Sequence, residues 1–296
     1  MKKILFTISN SEISGAEKQL LLILKNINKK KFYIEVCCLD GKGPLADEVK
    51  KLGLVFYAFK RKSRFDLFRL FYLYKLIKHN DFDYVVSFCW SANQYSRLAS
   101  FLTGNEHIAC ERGHDYRVNN VENMLIQFLE SISKRIVFNS KVQMDMYKKY
   151  INSNSEKLLC IYNGVHVNKM NTLHEGFLFK NFKIDSNKKI VGTIGNFSEH
   201  KNFDMFIEVC EKVVQNNKDI QFIAVGDGPK KRHYENIIYQ KKLNDFIIMP
   251  GFIEKFYEKI SILDVFILTS DWEGMPNVVM EAMAAKVPVI STSVDG

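Results

Sequence analysis

No CxxC pair occurs among the six cysteines of this chain; Cys37, Cys38, Cys89, Cys110, Cys160 and Cys210 are scattered, most of them inside apolar runs. That pattern offers no ligand set for structural zinc and reads as buried thiols in a reducing compartment. No stretch approaches the roughly 20 apolar residues of a membrane-spanning helix. The opening MKKILFTISN has a charged start but turns polar too soon for a signal peptide, so it reads as a first strand. Nucleic-acid binding is not expected either: the chain carries a net charge of +9 but no signature of a nucleic-acid-binding module.

What is present is apolar, rhythmic and unevenly charged. With 296 residues, 47% of them hydrophobic, the chain can bury one large core or two ordinary ones. Residues 1–172 hold 27 Lys and Arg against 16 Asp and Glu, whereas residues 173–296 hold 15 against 17. A basic first half suggests an anionic partner, and with nucleic acid set aside an anionic membrane surface is the first candidate.

Strand-like runs alternate with helical ones. Ile4 to Ile8, Tyr33 to Leu39, Leu54 to Phe59, Tyr84 to Phe88, His107 to Cys110, Ile136 to Asn139 and Leu158 to Tyr162 read as strands, with Glu17 to Ile27 and Val142 to Tyr150 among the helices between them. From about Met170 to Asn187 the rhythm lapses, which marks a linker. It resumes with strand Lys189 to Gly195, helix Phe203 to Gln215, strand Ile220 to Val225, helix Arg232 to Leu243, strand Phe246 to Met249 and a short helix Phe256 to Ile262. The expectation is an α/β protein with two doubly wound domains, 1–170 and 188–296, whose ligands gather at the carboxyl ends of the strands.

The last stretch, Val265 to Gly296, reads VFILTSDWEGMPNVVMEAMAAKVPVISTSVDG: strand, loop, helix, strand. Pro276 suits the first position of the helix, where a missing N–H has no partner to lose. The helix N-terminus favours phosphate, while Glu273 before it and Glu281 in its second turn, one turn from Asn277, could accept hydrogen bonds from sugar hydroxyls. On spacing alone, a loop carboxylate and a solvated helix face serve equally well.

Other loops offer candidates beside a plain alternative. Gly15 in SNSEISGAEKQ lies where a first helix could meet phosphate, or is merely a turn. Gly226 and Gly228 in GDGPK are spaced for close backbone approach to a nucleotide, without the third glycine of the full fingerprint. ERGHDYR places Glu111, Arg112, His114 and Asp115 at a strand end, where His114 could polarise a hydroxyl and Arg112 hold a phosphate. Asp81 and Asp83 form a DxD pair at the wrong end of a strand for metal-diphosphate binding, so a helix-to-strand turn is preferred. Lys60 to Lys78 interleaves seven basic residues with Phe65, Phe68, Phe71 and Tyr72. It reads as a membrane-surface helix or as an ordinary core helix with a charged outer face.

With VGTIGNFSEHKN, VGDGPK and SDWEGMPNVVMEAMA in that order, the second half resembles the retaining glycosyltransferases of family 4, enzymes of the glycosyltransferase B architecture. SGAEKQLLLIL, VFNSKVQMDMY and IYNGV extend the likeness over the first half. The resemblance implies two Rossmann-like domains facing across a cleft, the first for the acceptor and the second for a nucleotide-sugar donor, with no cofactor and no essential metal. Glu273 to Glu281 looks like the family's E-x7-E motif, with Glu281 on the ribose and Glu273 on the donor sugar. Gly274, Met275, Pro276 and Asn277 would support sugar and phosphate through backbone amides, and Lys201 would neutralise the diphosphate.

The family usually pairs that lysine with an arginine, where this chain has Asn196; Arg112 is the candidate substitute. Ser14 replaces a glycine before the first helix, and Lys286 the glycine of A-x-G-x-P. Family members also continue past the point where this chain reaches Gly296, which implies an incomplete second domain. The function so implied is retaining transfer of a sugar to a lipid-linked or polysaccharide acceptor, in the cytoplasm and peripheral to the inner face of the membrane, with His114, Lys201 and Glu273 as catalytic candidates. A catalytically silent nucleotide-sugar-binding fragment and a nucleotide-sugar epimerase of the same architecture are the alternatives.

Overall fold

A computed structural model describes residues 1–60, 66–113, 120–151, 153, 156–167, 182, 184–185, 187–254 and 256–294, with the side chains of 120–123 excepted. The chain divides into two compact units, Met1–Gly164 and Val165–Val294. The expected linker from Met170 to Asn187 falls largely outside the described residues.

In the first unit, β1 (Lys2–Ile8), α1 (Gly15–Asn26), β2 (Phe32–Cys38), α2 (Pro44–Lys51), β3 (Val55–Ala58), α3 (Leu67–Asn80), β4 (Tyr84–Phe88), α4 (Trp90–Thr103), β5 (Glu106–Glu111), α5 (Asn120–Ile132), β6 (Arg135–Phe138), α6 (Lys141–Ile151) and β7 (Leu158–Cys160) alternate. Their strands form one parallel sheet in the order β3-β2-β1-β4-β5-β6-β7. The second unit repeats the plan with β8 (Lys189–Ile194), α7 (Phe203–Asn216), β9 (Ile220–Val225), α8 (Lys231–Gln240), β10 (Ile247–Gly251), β11 (Val265–Leu268), α9 (Asn277–Ala284) and β12 (Val289–Ser291), ordered β10-β9-β8-β11-β12. The expected short helix at Phe256–Ile262 is present as a 3-10 helix. Both are doubly wound sheets in which the strand order reverses beside the first strand, so the crevices lie between the loops after β1 and β4 and after β8 and β11.

The strands are apolar nearly throughout because helices cover both faces. Leu5, Ile8, Val36 and Val85 are buried in the first unit; Phe206, Phe222, Phe266 and Ile260 are buried in the second. The thiols of Cys37, Cys38, Cys110 and Cys210 are buried, and Cys89 and Cys160 partly so.

The DxD pair is structural in both halves of its spacing. Asp81 ends α3 in a left-handed conformation. Asp83 accepts from the Lys3 amide at 2.8 Å and pairs with Lys2 at 2.5 Å, fastening the start of β4 to that of β1. The second unit has the same clamp: Asp264 before β11 accepts from the Ile190 amide and from Lys189, each at 2.8 Å. Hydrogen bonds to the charged form hold both carboxyls below their ordinary value: Lys2 is the first cause at Asp83, and at Asp264 burial, the largest single effect, is overcome by Lys189 and the Ile190 amide together.

Helix α4 has no clear apolar stripe because its inward face is polar. Asn93, Ser96, Arg97 and Ser100 are wholly buried. Thr7 Oγ1 and Ser96 Oγ are 2.7 Å apart, and Ser87 Oγ reaches Asn93 Oδ1 at 2.6 Å and His107 Nε2 at 2.8 Å. Ser133 Oγ meets His107 Nδ1 and accepts from Arg97 Nε, both at 3.0 Å; Arg97 also faces Glu111 at 3.4 Å with both side chains 1% exposed. Burial first, then the Arg97 charge, holds His107 well below the ordinary imidazole value of 6.5. The ring is neutral in the fold, whereas the unfolded chain takes up a proton below about 6.5, so this contribution to stability is present above that pH and is lost as the pH falls beneath it. Urea unfolding at pH 7.5 and 5.5 should show a loss approaching about 1.4 kcal/mol per pH unit below 6.5, and His107→Gln should flatten the slope.

Lys286, where the family has glycine, occupies a position that calls for one. Its φ is +62°, with Lys286 N donating to Met283 O and Val287 N to Ala282 O, each at 3.0 Å. That is a Schellman cap of α9 with lysine at its left-handed position. Lys286→Gly should therefore raise the unfolding free energy by about 1 kcal/mol, measured by urea titration.

Candidate functional site

The strongest constellation lies in the second unit at the β8–β11 crevice. The segment 195–202 follows β8 and the segment 269–276 follows β11; the two are joined at several points. Asp271 N donates to His200 O at 2.8 Å, Asn202 Nδ2 to Asp271 Oδ1 at 2.6 Å and Thr269 Oγ1 to Lys201 O at 3.1 Å. The His200 imidazole stacks on Trp272, with centroids 4.7 Å apart and planes at 26°. Burial first, then the neighbouring Lys201 charge, lowers the His200 pKa, which keeps this ring neutral near pH 7.

Between these contacts Lys201 Nζ donates to Glu273 Oε1, and Ser270 Oγ donates to the same oxygen at 2.8 Å. The two charged side chains are 21% and 13% exposed, so the pair is shielded but reachable. A concavity beside it is lined by Gly195, Asn196, Phe197, Lys201, Thr269 and Ser270. Gly274 is buried, and Met275, Pro276 and Asn277 are partly exposed as the chain enters α9. Glu281 is 6% exposed, which rules out the solvated helix face that spacing had allowed.

Pro276 is not the first helical residue. It is the extended residue before it, at φ −73° and ψ 109°, and Asn277 opens the helix. Extended backbone there displaces the helix start by one residue, without a side-chain cap on the new terminus.

Gly226 and Gly228 approach protein backbone. A Cβ on Gly226 would stand 1.8 Å from the Gly195 carbonyl oxygen; one on Gly228 would stand 2.2 Å from Asn196 Oδ1 and 2.6 Å from Phe197 N. Phe197 N donates to Asp227 O and Lys230 N to Phe197 O, each at 3.0 Å, so the GDGP turn supports the loop that carries Asn196 and Lys201.

In the first unit, motifs far apart in sequence meet at the carboxyl ends of the strands. Gln19 Nε2 donates to Gly164 O at 2.8 Å and Gly164 N to Gln19 Oε1 at 3.1 Å. Arg112 Nη1 donates to Asn163 Oδ1 at 2.5 Å while its guanidinium lies 4.9 Å from the Phe88 ring centroid. Gly15 is the first residue of α1, and Ser14 before it donates backbone N–H and hydroxyl to Glu17, a buried carboxyl whose pKa is raised by desolvation. His114 and Asp115 lie outside the described residues. Ser270, His200 and Trp272 were not singled out by sequence; only the three-residue spacing of Ser270 from Glu273 hints at the hydroxyl-to-carboxylate contact.

Two doubly wound domains with parallel sheets are the building plan of the glycosyltransferase B architecture, and the family models give the enzyme class. The family model described as Glycosyltransferase Family 4 matches residues 13–169, and that described as Glycosyl transferases group 1 matches residues 175–296. This chain belongs to glycosyltransferase family 4. It is 25% identical to the Staphylococcus aureus capsular polysaccharide biosynthesis glycosyltransferase CapH, over 99% of this chain and 82% of that protein. It is also 25% identical to the Escherichia coli UDP-Gal:alpha-D-GlcNAc-diphosphoundecaprenol alpha-1,3-galactosyltransferase, over 96% and 77%. The crystal structure of Anabaena HepE with UDP and glucose shares its fold with a TM-score of 0.85 at 18% identity, over 99% of this chain and 81% of that one. These relatives place the chain among the glycosyltransferases of glycan synthesis.

Proposed function

We propose that the chain transfers a sugar from a nucleoside diphosphate sugar to a lipid-linked or polysaccharide acceptor, with retention at the anomeric carbon. The observation that carries this reading is the meeting of Lys201, Glu273 and Ser270 at the β8–β11 crevice, beside the start of α9. Lys201 and the α9 terminus offset the charge that grows on the departing diphosphate, and Glu273 and Glu281 accept hydrogen bonds from donor hydroxyls. The chain supplies no nucleophile in this scheme: the acceptor hydroxyl bonds to the anomeric carbon from the face the diphosphate leaves, as the bond from that carbon to the diphosphate oxygen breaks and the hydroxyl proton passes to the departing oxygen, which retains the configuration. The scheme carries over from the family resemblance the expectation that neither cofactor nor essential metal takes part. Relatives named for capsule synthesis and for a diphosphoundecaprenol-linked acceptor support the acceptor class, and a related fold holding UDP supports the donor class.

A thermal-shift screen of UDP-, GDP- and ADP-sugars, followed by product NMR, tests the proposal. One nucleotide family should stabilise the protein and yield a product of retained configuration. Uniform silence would overturn the donor-site reading, and an inverted linkage would overturn retention.

The membrane part of the reading rests on α3, in the described part of the Lys60–Lys78 stretch; Arg61, Lys62, Arg64 and Phe65 lie outside the described residues. Leu73 and Ile77 are buried on its inner face, yet Leu67, Phe68, Phe71 and Tyr72 are 77%, 59%, 49% and 52% exposed. The outer face is therefore apolar and aromatic in its first turns and basic in its last, where Lys75, Lys78 and His79 are exposed. Lys75 lies 4.4 Å from the Phe71 ring centroid, and Arg69 turns inward to Leu39 O and the Tyr95 hydroxyl. Aromatic rings beside cations suit an anionic bilayer surface at the inner face of the membrane. No described helix is long and apolar enough to cross one. Phe68→Ser/Phe71→Ser should weaken co-sedimentation with phosphatidylglycerol vesicles by about ten-fold while leaving the melting temperature unchanged; undiminished binding would remove α3 from this role.

A further inference from the structure

The Lys201–Glu273 pair sets two requirements of the proposed reaction against each other. Lys201 must meet the diphosphate, yet its ammonium already lies on Glu273 Oε1. The carboxylate is not a casual neighbour. Ser270 Oγ holds the same oxygen at 2.8 Å, and the backbone on both sides is pinned by the bonds from Asp271 to His200 and from Thr269 to Lys201. A diphosphate entering the concavity beside Lys201 therefore competes with a fixed anion for one cation.

The two nucleotides of the reaction meet this competitor differently. An intact donor brings sugar hydroxyls, which can donate to Glu273 and take over the place that Lys201 leaves. Spent nucleoside diphosphate brings no such donor, and it adds negative charge next to a carboxylate stripped of its partner. We infer that Glu273 holds Lys201 in the resting protein and discriminates between the two nucleotides, admitting the nucleoside diphosphate sugar by exchange of partners and weakening retention of the nucleoside diphosphate product. This rests on the donor-site reading above and adds to it a means of product release. Apparent affinity for the product is reduced by the fraction of protein in which Lys201 is held.

The test is calorimetric titration of the pairs UDP and UDP-glucose, GDP and GDP-mannose, and ADP and ADP-glucose into the wild-type protein and Glu273→Gln. Glutamine keeps the shape and can still accept from Ser270; Glu273→Ala serves as a second variant, and thermal unfolding checks that each is folded. For the pair that binds, both variants should hold the nucleoside diphosphate about five-fold tighter and the sugar nucleotide about five-fold weaker than wild type. Shifts of both ligands in the same direction would overturn the inference: joint tightening means simple repulsion of phosphate, and joint weakening means a structural role. Wild-type binding with no change in the variants overturns it alone, leaving the donor site standing. Silence of every nucleotide on every protein overturns the donor-site reading and the inference with it.

Discussion

Lys201→Ala is expected to lower sugar transfer by about 10²- to 10³-fold while leaving the melting temperature close to that of the wild type. The magnitude follows from position. Lys201 is 21% exposed and lies beside the crevice where the strand order reverses, so a charge there is partly desolvated and acts on the leaving group more strongly than a surface lysine could. Alanine also leaves Glu273 without its cation, next to where the diphosphate must sit. The fold should survive, because the bonds that hold this loop run through backbone and neighbours: Lys201 N to Ser198 O at 3.2 Å, Thr269 Oγ1 to Lys201 O at 3.1 Å and Asn202 to Asp271 at 2.6 Å. Measured kcat with the donor identified by thermal shift is the readout. Turnover within a few-fold of wild type would show that something other than Lys201 carries the leaving-group charge.

Much of the architecture is legible in the sequence because parallel strands covered on both faces must be apolar along their length. Every strand of the two sheets corresponds to such a run; β4 and β9 match it end to end, β11 and β12 fall in the two apolar runs of the last stretch, and the others differ by one or two residues at an end. Helix α4 is the instructive exception. Its buried face carries Asn93, Ser96, Arg97 and Ser100, so the apolar periodicity that reveals other helices is missing. The compensating partners, Ser87, His107, Glu111 and Ser133, are scattered between positions 87 and 133 and become visible only when β4, β5 and the end of α5 are assembled around them.

The candidate site divides in the same way. Glu273, Glu281 and Lys201 are readable as motif positions, but spacing does not reveal that Lys201 and Glu273 touch, since 72 positions separate them. Nor does it reveal the Trp272–His200 stack, whose partners each precede a charged residue in a different loop. Spacing also marks Gly226 and Gly228 without saying what comes close to them, a ligand or another loop.

Gly226→Ala separates those two meanings, and its expected effect is the largest on stability. The added Cβ would lie 1.8 Å from the Gly195 carbonyl oxygen, a backbone atom that cannot swing aside, at a residue whose φ is +153°. Relief requires moving either the end of β8, where Gly195 N bonds Val225 O, or the end of β9, where Gly226 N bonds Gly251 O, each at 3.0 Å. Both moves disrupt the sheet that carries the site, so the loss should be about 4 kcal/mol or more, seen as a collapse of the urea midpoint or as insoluble protein. Gly53→Ala is the control: its φ of +72° imposes the same kind of backbone strain, but nothing lies within 4 Å of the added carbon. That variant should lose only about 1 kcal/mol. If Gly226 served only the approach of a nucleotide, Gly226→Ala would lose no more than the backbone strain of the Gly53 control, about 1 kcal/mol, together with affinity. Collapse of the midpoint together with loss of affinity is what loop-on-loop packing demands, because the segment that Gly226 supports is the one that presents Lys201.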